Sequence, residues 1–445
     1  GDDDLADLQD LLGPDEPEGP PVSPPQSPAT PEPEGEPIPT EPEEKNRMPY
    51  SQDNEPQANV DKGTPEVSPE KYSQVVAENE QLKAATAGMA LVTVEDLEAT
   101  NAEIATLKKE NEATGWAEKV KWQGDFRYRY EEIDDGGSDR ERHRVRARAA
   151  LIAKAAENVE VGLGLATGGD DPVSTNQTLG GGGSTKDIRL DLAYFKWKPN
   201  NFWLSGGKVK NPYYVPAKSA LVWDGDFRPE GIFAGWDGDL FFVNSSYIHI
   251  NSDSREGLDE AIWGAQVGTK LGPFTLAAGY LDIPTAGLPA IYDDDFFGNS
   301  SETRNGEEVY RYDYELVTLG ADASFNIGSL PLGIYADFVQ NQDADDNDQG
   351  YIVGAKLGSA KKQGTWQVQY QWQSLEADAT FALVTDSDFM GGGTDGEGHK
   401  ISAAYALIDK WTLGFTYFDG DKCFDDIKCD SRGYDRLMID TKFKY

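Results

Sequence analysis

From Lys119 to the end of the chain, hydrophobic positions recur every second residue. In KVKWQGDFRYRYEE, Val120, Trp122, Phe126, Tyr128 and Tyr130 fall on one face, and Lys119, Lys121, Gln123, Arg127 and Arg129 fall on the other. In RHRVRARAAL, Arg142, Arg144, Arg146 and Arg148 alternate with Val145, Ala147, Ala149 and Leu151. In TWQVQYQWQS, Trp366, Val368, Tyr370 and Trp372 alternate with Gln367, Gln369, Gln371 and Gln373. A helix would scatter these sets around its circumference, whereas the pleat of a strand keeps each set on one side. The pattern predicts sixteen strands, near 119–133, 142–156, 159–167, 187–198, 202–211, 231–238, 239–250, 260–271, 273–283, 309–325, 331–341, 350–359, 364–376, 399–407, 410–419 and 434–445. Most are about ten residues, the length with which a tilted strand crosses a bilayer.

The connections alternate in length. Glu157-Asn158, Pro199-Asn200, Asp237-Gly238, Gly272-Pro273, Gly328-Ser329, Lys361-Lys362 and Ile408-Asp409 mark tight turns. Between them run longer polar stretches such as GGDDPVSTNQTLGGGGSTK and DGDKCFDDIKCDSRGYD. Short turns at one end and long loops at the other match an outer-membrane barrel, while a soluble sandwich needs Greek-key crossovers that break this parity. Aromatic residues near strand ends, among them Trp122, Trp197, Trp263, Trp411 and Tyr445, have the placement of interfacial girdles. The fold class is an all-β, antiparallel transmembrane barrel over residues 116–445, with apolar side chains outward and polar ones inward.

The first quarter of the chain has another character. Residues 1–68 are rich in Pro and acids, with too few apolar side chains to offset the entropy of ordering, so a disordered, extended arm is expected. At its tip, Leu5, Leu8, Leu11 and Leu12 share one helical face. Residues 1–12 are therefore either a short motif that docks on a cell-wall or periplasmic partner, or a fraying acidic terminus. An acidic start at Gly1 without a methionine is what processing after export leaves. Residues 69–115 carry heptad spacing at Val75, Leu82 and Met89, and again at Leu97, Ile104 and Asn111, with Leu107 in a d-like place. Thr93 ahead of Glu95 and Asp96 has the form of a helix cap, which predicts a break between the two stretches. Asn79, Asn101 and Asn111 near the seam suit a parallel coiled-coil stalk, the alternative being a monomeric helix packed on the next domain.

Charge takes on meaning once it is located. The 445 residues carry a formal net charge of −39. Residues 1–118 hold 28 acidic and 7 basic residues, which leaves 51 and 33 for the remainder, so over half of the excess lies outside the barrel. An acidic balance argues against a nucleic-acid partner. Three His and two Cys leave little for a metal site, no cofactor motif is present, and no Ser/His/acid grouping suggests an enzyme.

Three segments are long enough to be specific: WQGDFRYRYEE, ERHRVRARAALIAKAAENVEVGLGLATGGDDPVSTNQTLG and DIRLDLAYFKWKP with WLSGGKVKNPYYVPAKSALVWDGDFRPEG. On these the chain resembles a bacterial outer-membrane family known as the putative porins, and more loosely the phosphate-selective porins. The resemblance runs from about Trp116 to Tyr445. It implies a passive and trimeric diffusion channel in contact with outer-membrane lipid and lipopolysaccharide; it does not cover residues 1–68, and the arm and stalk are expected in the periplasm. The final aromatic residue of DTKFKY resembles the signal by which such barrels are recognised for insertion.

Channel chemistry belongs to side chains that face the lumen. Lys121, Arg127 and Arg129 on the first strand stand beside Arg142, Arg144, Arg146 and Arg148 on the second, and Lys208 and Lys210 are expected to extend this basic wall. The loop after the fifth strand has an apolar centre at Ala220–Trp223, then Asp224, Asp226, Arg228 and Glu230. Folded inward as a constriction loop, its acids would face the arginines across a water-filled eyelet and set up a transverse field. The alternative for the arginines is a structural ladder neutralised by Asp125, Glu131, Asp187 and Asp191. Cys423 and Cys429 are expected to form a disulfide that braces the last long loop. The run Asp343–Asp348 resembles the front of a calcium loop but lacks its Gly and distal Glu, so a solvated acidic loop is expected. Two functions follow as rivals: a porin for small hydrophilic solutes, or a tether that holds the envelope layers through arm and stalk.

Overall fold

The computed structural model describes residues 69–86, 98–106, 119–252, 260–424 and 430–445. The chain divides into one unit within residues 19–113 and another that includes residues 114–445. In the first, helix α1 (Pro69–Thr86) opens on a proline, whose missing N–H costs nothing at that position, with Glu70 in its first turn and Lys83 in its last. Val75 and Leu82, seven residues apart, are 55% and 65% exposed. A second helical stretch covers 98–106 and leaves Ile104 exposed. The arm at 1–68, Met89, the Thr93 cap, Leu97, Leu107 and Asn111 lie outside the described residues.

The second unit is a closed barrel of sixteen antiparallel strands. They are β1 (Val120–Asp134), β2 (Asp139–Ala156), β3 (Val159–Thr167), β4 (Ile188–Trp197), β5 (Phe202–Lys208), β6 (Glu230–Asp237), β7 (Phe241–Asn251), β8 (Glu260–Leu271), β9 (Phe274–Ile283), β10 (Tyr314–Ile327), β11 (Leu330–Asn341), β12 (Gln349–Gly358), β13 (Trp366–Leu375), β14 (Gly396–Ile408), β15 (Trp411–Lys422) and β16 (Arg432–Lys444). Each strand pairs with the next, and β1 pairs with β16 from Asp125↔Lys444 to Asp134↔Asp435, so no edge is left open. The seam is finished by Tyr445, whose backbone exchanges two 3.1 Å hydrogen bonds with Gly124. Its ring lies over that glycine, where a Cβ would stand 2.6 Å from the ring and 2.3 Å from the Arg148 carbonyl. Gly124 is therefore the residue that lets the C-terminus close the barrel.

Exposed apolar side chains form the outer face as expected, with Trp122, Leu163, Trp236, Trp263, Leu319 and Ile439 each 40–60% accessible. The inner face departs from the expectation. Over β6–β13 the inward rows are mixed: Phe233, Ile248, Ile262, Leu281, Ile283, Tyr314, Leu316, Val339, Ile352 and Leu375 belong to one buried cluster, while Asn244, Ser246, Gln266, Asp337 and Asn341 are buried polar residues on the same faces. The polar-inward rule fails here because these side chains cover apolar loops that fold into the barrel. The opposite sector, β13–β16 with β1 and β2, is polar inside, with Gln367, Gln371, Ser402, Thr412, Thr416 and the arginines facing inward and buried.

Candidate functional site: a basic lumen wall and two inward loops

Strand register builds the wall. Arg127 lies opposite both Lys442 and Arg146, and Arg129 lies opposite Asp440 and Arg144. Glu131 lies opposite Met438 and Arg142. Three adjacent strands thus present Arg127, Arg129, Arg142, Arg144, Arg146, Arg148, Arg436 and Lys442 against Asp125, Glu131 and Asp440. The row of three cations, Lys442–Arg127–Arg146, places like charges directly opposite one another, which a sheet tolerates only where counter-charge arrives from elsewhere. Arg127, Arg129, Arg144 and Arg146 are each 1% exposed, so the wall is not the open, wetted surface that its sequence suggests.

Beyond the acids on the strands themselves, counter-charge comes from two loops. Residues 209–229 fold inward, and Trp223, Asp224, Asp226 and Arg228 are all buried. Trp223 stacks between Tyr213 and Phe227, with ring centroids 6.1 and 5.5 Å away, and this anchors the loop in the apolar cluster. The second loop, residues 376–395, was not foreseen. Its Phe381, Ala382, Val384, Phe389 and Met390 are no more than 3% exposed. The signal is present in the sequence: an apolar centre between acids, the same signature as in the first loop. The loops meet where the Asp224 N–H donates to the Val384 carbonyl at 2.7 Å, and where the Ser387 N–H and hydroxyl both donate to Asp224 Oδ2 at 3.1 Å. Burial, then the nearby Asp226 and Asp386 carboxylates, push the Asp224 carboxyl well above the ordinary range.

Direct ion pairs join the loops to the wall. Asp226 meets Arg148 Nη1 at 2.7 Å and Arg146 Nη1 at 3.3 Å. Asp388 bridges Arg436 at 2.6 Å and Arg129 at 3.1 Å. On the wall itself, Asp125 holds Arg146 at 3.1 Å and Arg148 at 2.7 Å, and Glu131 pairs with Arg142 and with Arg436. The expected gap between acidic loop and basic wall is therefore bridged, because the loop's acids reach the guanidinium groups themselves.

Other expected site residues stand apart. Lys208 pairs with Glu230 at 2.8 Å, and Glu230 shares its outward row with Ile232 and Trp236. Neither belongs to the lumen wall or to the inward loop: Gly207, at φ +114, ends the regular alternation of β5, and Glu230 already opens β6. Lys210 is exposed beyond the strand end, and Lys121 is exposed opposite Ile152 near the short-turn end. Asp187 pairs with exposed Arg189 rather than with the wall, and Asp191 serves Arg228 at 3.4 Å. Cys423 is buried and disulfide-bonded, and its expected partner Cys429 lies outside the described residues. In the acidic run, Asp343 accepts the Asp313 N–H and Asp348 accepts the Gln340 amide.

A closed barrel of sixteen strands with loops folded into its lumen and short turns at one end is the architecture of a channel-forming outer-membrane porin. The sequence agrees: the family described as "Putative porin" matches residues 133–326 and 303–445, and the chain belongs to that family. Among solved structures, OprB of Pseudomonas putida shares the fold at a TM-score of 0.53 and 12% identity, over 75% of this chain and 96% of that one. A Rh. blastica porin mutant (TM-score 0.45, 11% identity, 73% and 100% covered) and Salmonella typhi OmpF in complex with daunomycin (0.46, 11%, 73% and 97%) are also similar. No curated protein sequence matches.

Proposed function

We propose that the protein is a passive channel for small hydrophilic solutes and ions, with a preference for anions, rather than an enzyme. The observation that carries this reading is the concentration of lumen-facing cations on β16, β1 and β2, away from the large apolar cluster that fills part of the opposite side. A hydrated ion that entered the apolar cluster around Phe233, Ile248 and Leu316 would lose its water without replacement, at a cost of several kcal/mol or more. The path therefore follows the wall of β16, β1 and β2, where cations outnumber acids. Arg127 donates to Asn176 and Arg144 to Ser174, with Glu131 3.8 Å from Arg144, and neither arginine is taken up by the acids of the inward loops in these contacts, so they extend the positive potential along the wall. Replacing both by Gln should reduce the anion-to-cation permeability ratio several-fold, read as a shift of reversal potential in a salt gradient across a planar bilayer. An unchanged potential would remove the wall from the selectivity mechanism.

The working unit is a homotrimer in contact with outer-membrane lipid and lipopolysaccharide. Chain direction supports a periplasmic N-terminal region, because β1 begins at the end of the barrel that carries the short turns. The exposed, heptad-spaced Val75 and Leu82 favour a stalk that self-associates, with residues 69–115 as its extent and 1–68 as a tethering arm. On an unboiled gel the purified protein should run as a species three times larger than the boiled one. A monomer band under both conditions would reject the trimer.

A further inference from the structure

Asp226 is held as a bound anionic solute would be. Arg148 Nη1 donates to its Oδ1 at 2.7 Å, while Arg146 Nη1 and Thr175 Oγ1 donate to its Oδ2 at 3.3 and 3.1 Å. The arginines belong to β2 and the threonine to the connection between β3 and β4, whereas the carboxylate arrives from a different element, the inward loop. Residues 146 and 148 are two apart on one strand, so their guanidinium groups bracket a two-oxygen acceptor from neighbouring positions on the same face. Asp125 grips both groups from the other side, Arg146 at 3.1 Å and Arg148 at 2.7 Å, and keeps the fork aimed whatever occupies it. Arg228, on the same loop, has Nη2 4.0 Å from Asp226 Oδ1. A displaced Asp226 carboxylate thus has a cation to move towards.

We propose that Arg146, Arg148 and Thr175 form a binding site for the carboxylate of a small organic acid in transit, with Asp226 as its resident stand-in. One carboxylate enters the fork as Asp226 turns towards Arg228, which Asp191 also meets at 3.4 Å, so the two guanidinium groups keep an anionic partner and their desolvation is not incurred again. The exchange makes passage of a carboxylate solute different in kind from passage of chloride, which offers one centre to a fork built for two. The proposal rests on the channel reading above and adds the solute class to it.

Asp226→Asn is the test, because the amide keeps the shape and removes the charge that competes with the solute. In planar bilayers bathed in chloride, succinate should reduce the current of the Asp226→Asn variant at a concentration at least about tenfold below that needed for wild type, a difference of about 1.4 kcal/mol in competition. Adding Thr175→Val to that variant should weaken the block. Trp223 emission, three residues from the site, should respond to succinate over the same range and needs no current. Equal succinate sensitivity of wild type and variant in both readouts would overturn the site while leaving the channel standing. Absence of conductance from either protein, with a normal heat-dependent gel shift, would overturn the channel reading and this proposal with it.

Discussion

Replacing Glu131 by Gln is expected to destabilise the barrel by about 3–5 kcal/mol, the usual cost of removing one member of a buried ion pair. Glu131 is fully buried and is shared by three guanidinium groups: it pairs with Arg142, accepts from Arg436 Nη2 at 2.6 Å beside Asp388, and lies 3.8 Å from Arg144. An amide accepts a hydrogen bond but supplies no charge, so three guanidinium groups lose their common counter-ion in a region of low dielectric. The wild-type pairs need not be stabilising compared with an apolar wall, and the prediction concerns only the broken set. The heat-dependent gel shift should move to clearly lower temperature for Glu131→Gln, and not for Glu132→Gln, whose side chain is exposed on the outer face. Equal transition temperatures for the two variants would show that the wall is neutralised by other means.

That contrast between adjacent residues states what the sequence makes legible. Glu131 and Glu132 are told apart by parity alone, because β1 alternates without interruption from Phe126 to Asp134. The same reasoning places Arg142, Arg144, Arg146 and Arg148 on the inner face, and the turn residues divide the chain into sixteen strands. It fails where alternation carries no contrast. In β8, Ile262 points inward and Trp263 outward, both apolar, so the pattern gives no hint that the lumen there is filled. It fails again at Lys208, where a glycine of positive φ ends the strand and parity loses its reference. Nor does spacing along a strand reveal what approaches from across the barrel. Asp388 meets Arg129 from 259 residues away, and no local pattern encodes that contact. The wall was legible as a row of charges, but its burial depends on loops whose destination is a tertiary fact.

Replacing residues 377–394 by a short Gly-Ser linker is expected to raise single-channel conductance several-fold. A barrel of sixteen strands is wide enough for an aqueous channel, so the restriction on flow comes from what lies inside it. The first loop enters with Trp223 stacked on Tyr213 and Phe227, and Ser219 donates to Asp337 at 2.6 Å, which ties it to the barrel independently of the second loop. The second loop fills further space, packed with the connection at 284–313: Phe381 packs on Tyr310 and Tyr314, Asp388 spans Arg129 and Arg436, and Asp386 meets Lys400 at 3.6 Å. Its removal takes Asp388 from the wall and Asp386 from Lys400 but leaves Arg129 with Asp440 at 2.8 Å and Arg436 with Glu131, so the wall keeps counter-charge while the passage widens. Selectivity should shift further towards anions at the same time, since acids leave and the arginines stay. The Arg127→Gln and Arg144→Gln exchange lowers the anion preference with little effect on size, so the two manipulations separate charge from bore. Conductance unchanged by the deletion, in protein that still shows the heat-dependent gel shift, would mean that flow is limited at the first loop alone and that the second serves only to brace the wall.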